Sequence, residues 1–340
     1  MRFGKPLRWL ASGLALVLAL WGGANLWLEH VLNTPLPLNS PVIVDIRPGS
    51  GLGQVTRQLS AEAGLQHPRL LSWWAQKQGF ERAIRTGEFE LTPGMSPRGA
   101  LQHLISGQAV QYPVTLIEGT TVRSALASLW RSPKLKITLE GQSDEAILAA
   151  IGSPLPHLEG ALFPDTYFYT AGTTDQELLR RASRRLTQVL EAQWQSRAVG
   201  LPYATPYEAL TLASIIEKES GLLSERERIA GVFVRRLQNG MRLQSDPTVI
   251  YGLGESFDGN LRRVDLDTTT PYNTYRINGL PPSPIAMAGE DAIHASLNPS
   301  DESYLYFVAT GDGGHYFSTT LDEHNAAVRR YQLNRSQATP

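Results

Sequence analysis

Residues 9–28, WLASGLALVLALWGGANLWL, carry no charged side chain, and no other feature constrains this chain as much. At a helical rise of about 1.5 Å per residue the run spans about 30 Å, the thickness of a bilayer's hydrocarbon core. Arg2, Lys5 and Arg8 precede it and Glu29 follows. A cleaved signal peptide also sets an apolar stretch behind a basic start, but that stretch is about 7–15 residues long and closes on a small-x-small site. Here the run is longer and no clear site of that kind closes it before Trp27, which favours an uncleaved transmembrane anchor. Basic residues on the leading side keep the N-terminus in the cytoplasm. In a bacterium, the expectation is a single-pass protein of the cytoplasmic (inner) membrane with its folded part in the periplasm.

The chain's 340 residues leave room for two domains at roughly 100–200 residues each. The chain has 31 Lys+Arg against 32 Asp+Glu and no cysteine. Near-neutral charge argues against nucleic acid as a partner, since phosphate binding draws on a basic surface. Without cysteine there is neither a disulfide scaffold nor a thiolate metal site.

Residues 33–41, NTPLPLNSP, read as a short extended linker because of their prolines. A pattern of β-branched run, glycine turn and amphipathic helix then recurs three times: VIVDIRPGSGLGQVTRQL from Val42, FELTPGMSPRGALQHLISG from Phe89 and PVTLIEGTTVRSALASLW from Pro113. Such units stack into a small α+β module. The expected division is a tip and anchor at 1–32, the linker at 33–41, the module with its following strand–helix unit at 42–130, a connection at 131–155 and a larger α+β domain at 156–340. Within that domain an amphipathic helix starts at Asp175, which with the Arg180–Arg185 cluster reads as a solvated face.

The segment EALTLASIIEKES, 208–220, is helical in composition and is stopped by Gly221. At 100° per residue Leu212, Ile216 and Glu219 share a stripe, with Glu217 on the opposite side. An apolar stripe faces a core, so Glu219 falls where a buried helix face opens into a cleft. Desolvation there raises a carboxyl's pKa and makes it a proton donor near neutral pH. The next helix is expected to begin at Ser224, with Glu227 completing a capping box. Two turn-rich loops, 241–254 and 268–289, then supply Gln244, Asp246, Thr248, Tyr251, Tyr272, Asn273 and Tyr275. Amides, hydroxyls and aromatic rings on such loops suit a carbohydrate groove. Glu217 reads either as an electrostatic helper or as a structural ion-pair partner.

These blocks carry a resemblance. EGALFPDTYFY (159–169), LASIIEKESG (212–221), ERERIAGVFVRRLQNGMRLQSDPTVIYGLG (225–254), PYNTYRINGLPPSPI (271–285) and YLYFVATGDGGHYFSTTLDEHN (304–325) together resemble the membrane-anchored endolytic murein transglycosylases, the MltG or YceG-like family. Ser283 stands where family members often have glycine between prolines. The resemblance implies a LysM-like βαβ-type module before the catalytic domain, and Glu219, near a helix C-terminus, as the catalytic acid. It implies a lytic transglycosylase that cleaves the MurNAc-β-1,4-GlcNAc bond of peptidoglycan glycan strands without water and leaves 1,6-anhydro-MurNAc ends. It also implies work beside peptidoglycan synthases, terminating or trimming nascent strands, with no cofactor.

Ordinary glycosidases use two carboxylates. When the nucleophile is the substrate's own C6 hydroxyl, one carboxyl serves both proton transfers. A different class of function is a non-catalytic peptidoglycan-binding scaffold, since a LysM-like module alone binds glycan. His315 and His324, near Asp312 and Asp322, lack the H-E-x-x-H spacing of a metal site. They read instead as closing a hairpin near the groove and capping the final helix.

Overall fold

The computed structural model describes residues 5–333. Arg2 of the basic leader and the last residues of the expected catalytic domain, 334–340, lie outside the described residues. Helix α1 (Lys5–Asn33) is continuous. Its stretch Trp9–Asn33 is long and apolar enough to cross a bilayer, and its most apolar window is buried against nothing. The chain divides into two compact units, Met1–Tyr112 with Thr170–Gly172, and Pro113–Tyr169 with Thr173–Pro340.

In the first unit β1 (Val42–Ile46) is followed by α2 (Leu52–Ala63), α3 (Pro68–Lys77), β2 (Gly87–Leu91) and α4 (Pro97–Ser106). The strands pair antiparallel, Val42 opposite Leu91 and Ile46 opposite Gly87. Two helices therefore separate an antiparallel pair, where a βαβ-type unit was expected to have one helix between parallel strands. The strand period of two puts Val44, Ile46, Phe89 and Leu91 on one buried face. The helical period adds Val55 and Leu59 of α2, Leu71 and Ala75 of α3, and Leu101 and Leu104 of α4. Leu32, in the last turns of α1, is fully buried in the same core.

The second unit contains β3 (Tyr112–Thr115), α5 (Val122–Leu129), α6 (Asp144–Ile151), β4 (Thr166–Tyr169), α7 (Asp175–Gln195), α8 (Pro206–Glu219), α9 (Arg226–Gln238), α10 (Asp246–Leu253), α11 (Arg263–Asp267), α12 (Glu290–Leu297), β5 (Tyr306–Ala309), β6 (His315–Ser318) and α13 (Leu321–Val328). The third strand–helix copy is bonded into this unit. Leu116 N–H donates to the Asp165 carbonyl at 3.0 Å, Gly119 N–H to Met287 at 2.9 Å, and Met287 N–H to Thr120 at 3.0 Å. The fold is mixed α and β, with β3 pairing β4 and β5 pairing β6.

Helix α8 is the axis of the second core. Pro206 at its first turn and a capping box between Thr205 and Glu208 start it. Every residue from Ala209 to Ile216 is buried, so α8 is packed on all sides rather than along the one stripe its spacing suggested. Helix α7 starts at Asp175 as expected, but the surroundings of that residue and the start of α9 differ. Asp175 is fully buried rather than solvated, because its carboxylate accepts from the Thr138 and Leu139 N–H groups, both at 2.9 Å, and from Trp130 Nε1 at 3.1 Å. Thr174 and Glu177 cap α7 in a capping box. Ser224 caps nothing: Leu223–Glu225 is a 3-10 turn and α9 begins at Arg226 without a side-chain cap.

Candidate functional site

Glu219 is the last residue of α8, and its half-buried side chain borders a cavity of about 580 Å³. The cavity is lined also by Arg236, Gln244, Asp246, Tyr275, Tyr306 and His315. Burial pushes the Glu219 carboxyl up to about 7; Asp246 adds to this, while the Ser245 hydroxyl and Arg236 pull it back. The negative pole at a helix C-terminus further disfavours a carboxylate there. Ser245 donates to Glu219 Oε1 at 2.5 Å.

That serine is itself held from behind. Its N–H donates to Thr274 Oγ1 at 2.9 Å and its carbonyl accepts the Thr248 hydroxyl at 2.7 Å. Thr248 and Thr274, both fully buried, also bond to each other at 2.8 Å. Asn273 is equally buried: Nδ2 donates to the carbonyls of Asp265, Leu266 and Thr268, while Oδ1 accepts the Tyr275 N–H at 2.9 Å. Thus Thr248 and Asn273 brace the loops from beneath and do not line the cavity.

Gln244, Asp246 and Tyr275 do line it. The Tyr275 hydroxyl donates to Asp246 Oδ1 at 2.7 Å. Gln244 has a φ of 52°, a left-handed conformation that costs a non-glycine residue and persists only where surrounding contacts impose it. Its N–H donates to the Thr274 carbonyl at 3.2 Å, which ties it to the same brace.

Tyr251 and Tyr272 pack on each other with ring centres 4.9 Å apart. Tyr251 borders a different cavity, about 300 Å³, with Glu159, Trp130 and Leu126. Glu159 accepts the Val122 N–H at 3.0 Å, and burial raises its carboxyl to about 7. Tyr272 bonds Ser283 Oγ at 2.7 Å, and Ser283 also donates to the Pro284 carbonyl at 2.8 Å. Ser283 is not among the positive-φ residues, so its backbone makes no demand for glycine.

Glu217 points elsewhere. Its carboxylate forms a buried ion pair with Arg226 Nη2 at 2.6 Å and accepts the Gly289 N–H at 3.0 Å.

Sequence reasoning passed over Ser245, Arg236 and the pairing of His315 with Glu225. Arg236 is buried; Nε donates to Leu305 and Nη1 to Leu243, and the guanidinium lies 5.2 Å from the centre of the Tyr306 ring. His315 opens β6 in the β5–β6 hairpin and lines the cavity. His324 stands in the first turn of α13 and stacks on Tyr306 at 5.2 Å. It does not cap that helix, which Thr320 and Glu323 close in a capping box.

A family model described as the YceG-like family matches residues 44–330. The endolytic murein transglycosylase of Bacillus subtilis (strain 168) is 30% identical over 336 residues, which cover 93% of this chain and 92% of that protein. That of Streptococcus pneumoniae (strain D39) is 26% identical over 358 residues, 94% of this chain and 64% of its own length. The crystal structure of a yceG-like protein from Listeria monocytogenes superposes with a TM-score of 0.55 at 28% identity, covering 85% of this chain and 99% of that one. By the span of the family match and by the extent of these likenesses, the chain belongs to the YceG-like family.

Proposed function

We propose that the protein is a membrane-anchored endolytic lytic transglycosylase of peptidoglycan, with Glu219 as its catalytic acid. The observation that carries this reading is a carboxyl raised to about 7 at the end of a buried helix, beside a cavity lined by amide, carboxylate and aromatic side chains. A protonated Glu219 gives its proton to the oxygen of the MurNAc-β-1,4-GlcNAc bond. The C6 hydroxyl of the muramyl ring attacks the anomeric carbon and forms the 1,6-anhydro ring, and the proton it loses restores Glu219. Since the nucleophile belongs to the substrate, the second carboxylate of a retaining glycosidase has no task.

Gln244, Asp246 and Tyr275 hold the sugars along the cavity wall, and Arg236 with Tyr306 closes one side of it. Helix α1 anchors the protein in the inner membrane with the N-terminus in the cytoplasm, and the first unit is a LysM-like glycan-binding module. Location at the membrane suits an enzyme that terminates or trims nascent strands beside peptidoglycan synthases.

Mass spectrometry of purified glycan strands after digestion tests the reading. Wild type yields 1,6-anhydro-MurNAc ends and Glu219→Gln, still folded and glycan-bound, yields none. Reducing ends would mean a hydrolytic muramidase, and no product from wild type would mean a glycan-binding scaffold.

A further inference from the structure

His315 lines the Glu219 cavity and pairs with Glu225, their side chains 12% and 15% exposed. Glu225 Oε2 lies 2.8 Å from His315 Nδ1, while Oε1 accepts the His315 backbone N–H at 3.0 Å. Both carboxylate oxygens are therefore acceptors. A neutral imidazole facing such an acceptor carries its proton on Nδ1 and presents Nε2 as a lone pair. Phe307 meets the ring edge-on, centres 5.3 Å apart, and Phe317 packs at 6.4 Å. Among the described residues no hydrogen bond reaches Nε2, and His315 shares the cavity lining with Glu219.

We infer that His315 is a second catalytic group of this site: its Nε2 takes the proton from the attacking sugar hydroxyl and hands it on to Glu219. The inference rests on the proposed transglycosylase reading and deepens it. As the C6 oxygen bonds to the anomeric carbon, the bond from that carbon to the leaving oxygen breaks. The leaving oxygen takes the Glu219 proton, and the hydroxyl proton moves to Nε2. The imidazolium so formed is held by the Glu225 carboxylate and shares the cavity with the new Glu219 carboxylate. Transfer between these two returns both groups to their starting states, so no external acid, base or oxidant is consumed. Glu225 acts through His315 as a positioning residue, in the way a carboxylate fixes the histidine tautomer of a catalytic triad.

Glu225→Gln separates this role from simple packing. The glutamine oxygen is needed by the His315 N–H, so its NH₂ turns toward Nδ1, which must then become the acceptor, and the ring proton moves to Nε2. The cavity-facing nitrogen becomes a donor while the contacts keep their shape.

The test is steady-state kinetics of anhydro-end formation by the full chain in detergent, together with nitrogen-15 NMR of histidine-labelled protein. The His315 signals are assigned by their loss in His315→Gln. Wild type should show a protonated Nδ1 at His315 and Glu225→Gln a protonated Nε2. Both variants should lose about 10²–10⁴ in kcat with KM changed by less than about threefold, the usual worth of a proton-transfer group. Added imidazole should restore part of the activity of His315→Ala. A wild-type ring protonated on Nε2, or a kcat in His315→Gln and Glu225→Gln within about twofold of wild type, far below that worth, overturns the inference. If wild type forms no anhydro ends at all, the transglycosylase reading fails instead, and the tautomer measurement still reports on the pair.

Discussion

The Ser245 hydroxyl donates to Glu219 Oε1 at 2.5 Å, although Ser245 occupies the N-cap position of α10 and would ordinarily bond that helix's own N–H groups. Glu225 makes the same exchange, preceding α9 without capping it while its carboxylate holds His315. Two helix starts thus give up local capping for contacts at one cavity. The pattern marks residues whose position is set by the site, and it frames what substitutions there should do.

On the proposed reading, in which the acid form of Glu219 is the proton donor, a pKa of about 7 limits turnover on the alkaline side. Turnover should fall about tenfold per pH unit above that value. Ser245→Ala removes a donor that favours the carboxylate, so the alkaline limb should move to higher pH. A pH profile of kcat for both proteins checks this; a limb that stays in place would mean Ser245 does not act on Glu219.

Stability should carry the same signature. Between the unfolded value near 4.3 and the folded value of about 7, the native state holds a proton that the unfolded state has lost, so stability falls as pH rises through that window. Glu219→Gln has no such loss. Its advantage over wild type should grow from pH 5 to pH 8 and reach on the order of 1–3 kcal/mol. Urea melts at the two pH values measure it, and an advantage that does not grow would contradict the burial argument. Glu159, also raised to about 7 by burial, should give Glu159→Gln a parallel trend.

Breaking the buried Glu217–Arg226 pair should cost far more than any surface pair. Arg226→Leu leaves the Glu217 carboxylate enclosed and unpaired, a loss of about 3–5 kcal/mol. Adding Glu217→Gln should recover part of it, since glutamine still accepts the Gly289 N–H. The denaturation midpoints of the single and double variants decide this, and equal midpoints for Arg226→Leu and wild type would refute it.

Asn273→Ala should lose about 1–3 kcal/mol by freeing three buried carbonyls from their donor. Asn273→Asp should be worse, because a carboxylate would then face those carbonyls. Activity should fall in both variants, since Asn273 Oδ1 anchors the Tyr275 backbone and Tyr275 holds Asp246. Thermal melts and kcat measured on the same preparations check the order Asn, Ala, Asp.

Much of this was legible locally. The uncharged run of α1 and the strand period of two in Val42–Ile46 and Gly87–Leu91 are read from a few residues at a time. These features depend on neighbours within a few positions, and the chain by itself determined them. Which polar side chains face the cavity did not follow from type or spacing. Gln244 precedes α10 and Thr248 lies within it, in a stretch expected to be all loop, while Asn273 and Tyr275 share one loop; in each pair one residue lines the cavity and the other is buried beneath it.

Tertiary structure alone decided those positions. Asp175, which looked like a solvated helix start, is enclosed by Trp130, Thr138 and Leu139 from far earlier in the chain. Glu225 and His315 are 90 positions apart, and Ser245 and Glu219 are 26 apart. A polar side chain's partner is whichever donor or acceptor the packed core brings within about 3 Å, and burial makes that pairing obligatory. Periodicity tells which face of a helix is buried; only the assembled fold tells what waits on the other side.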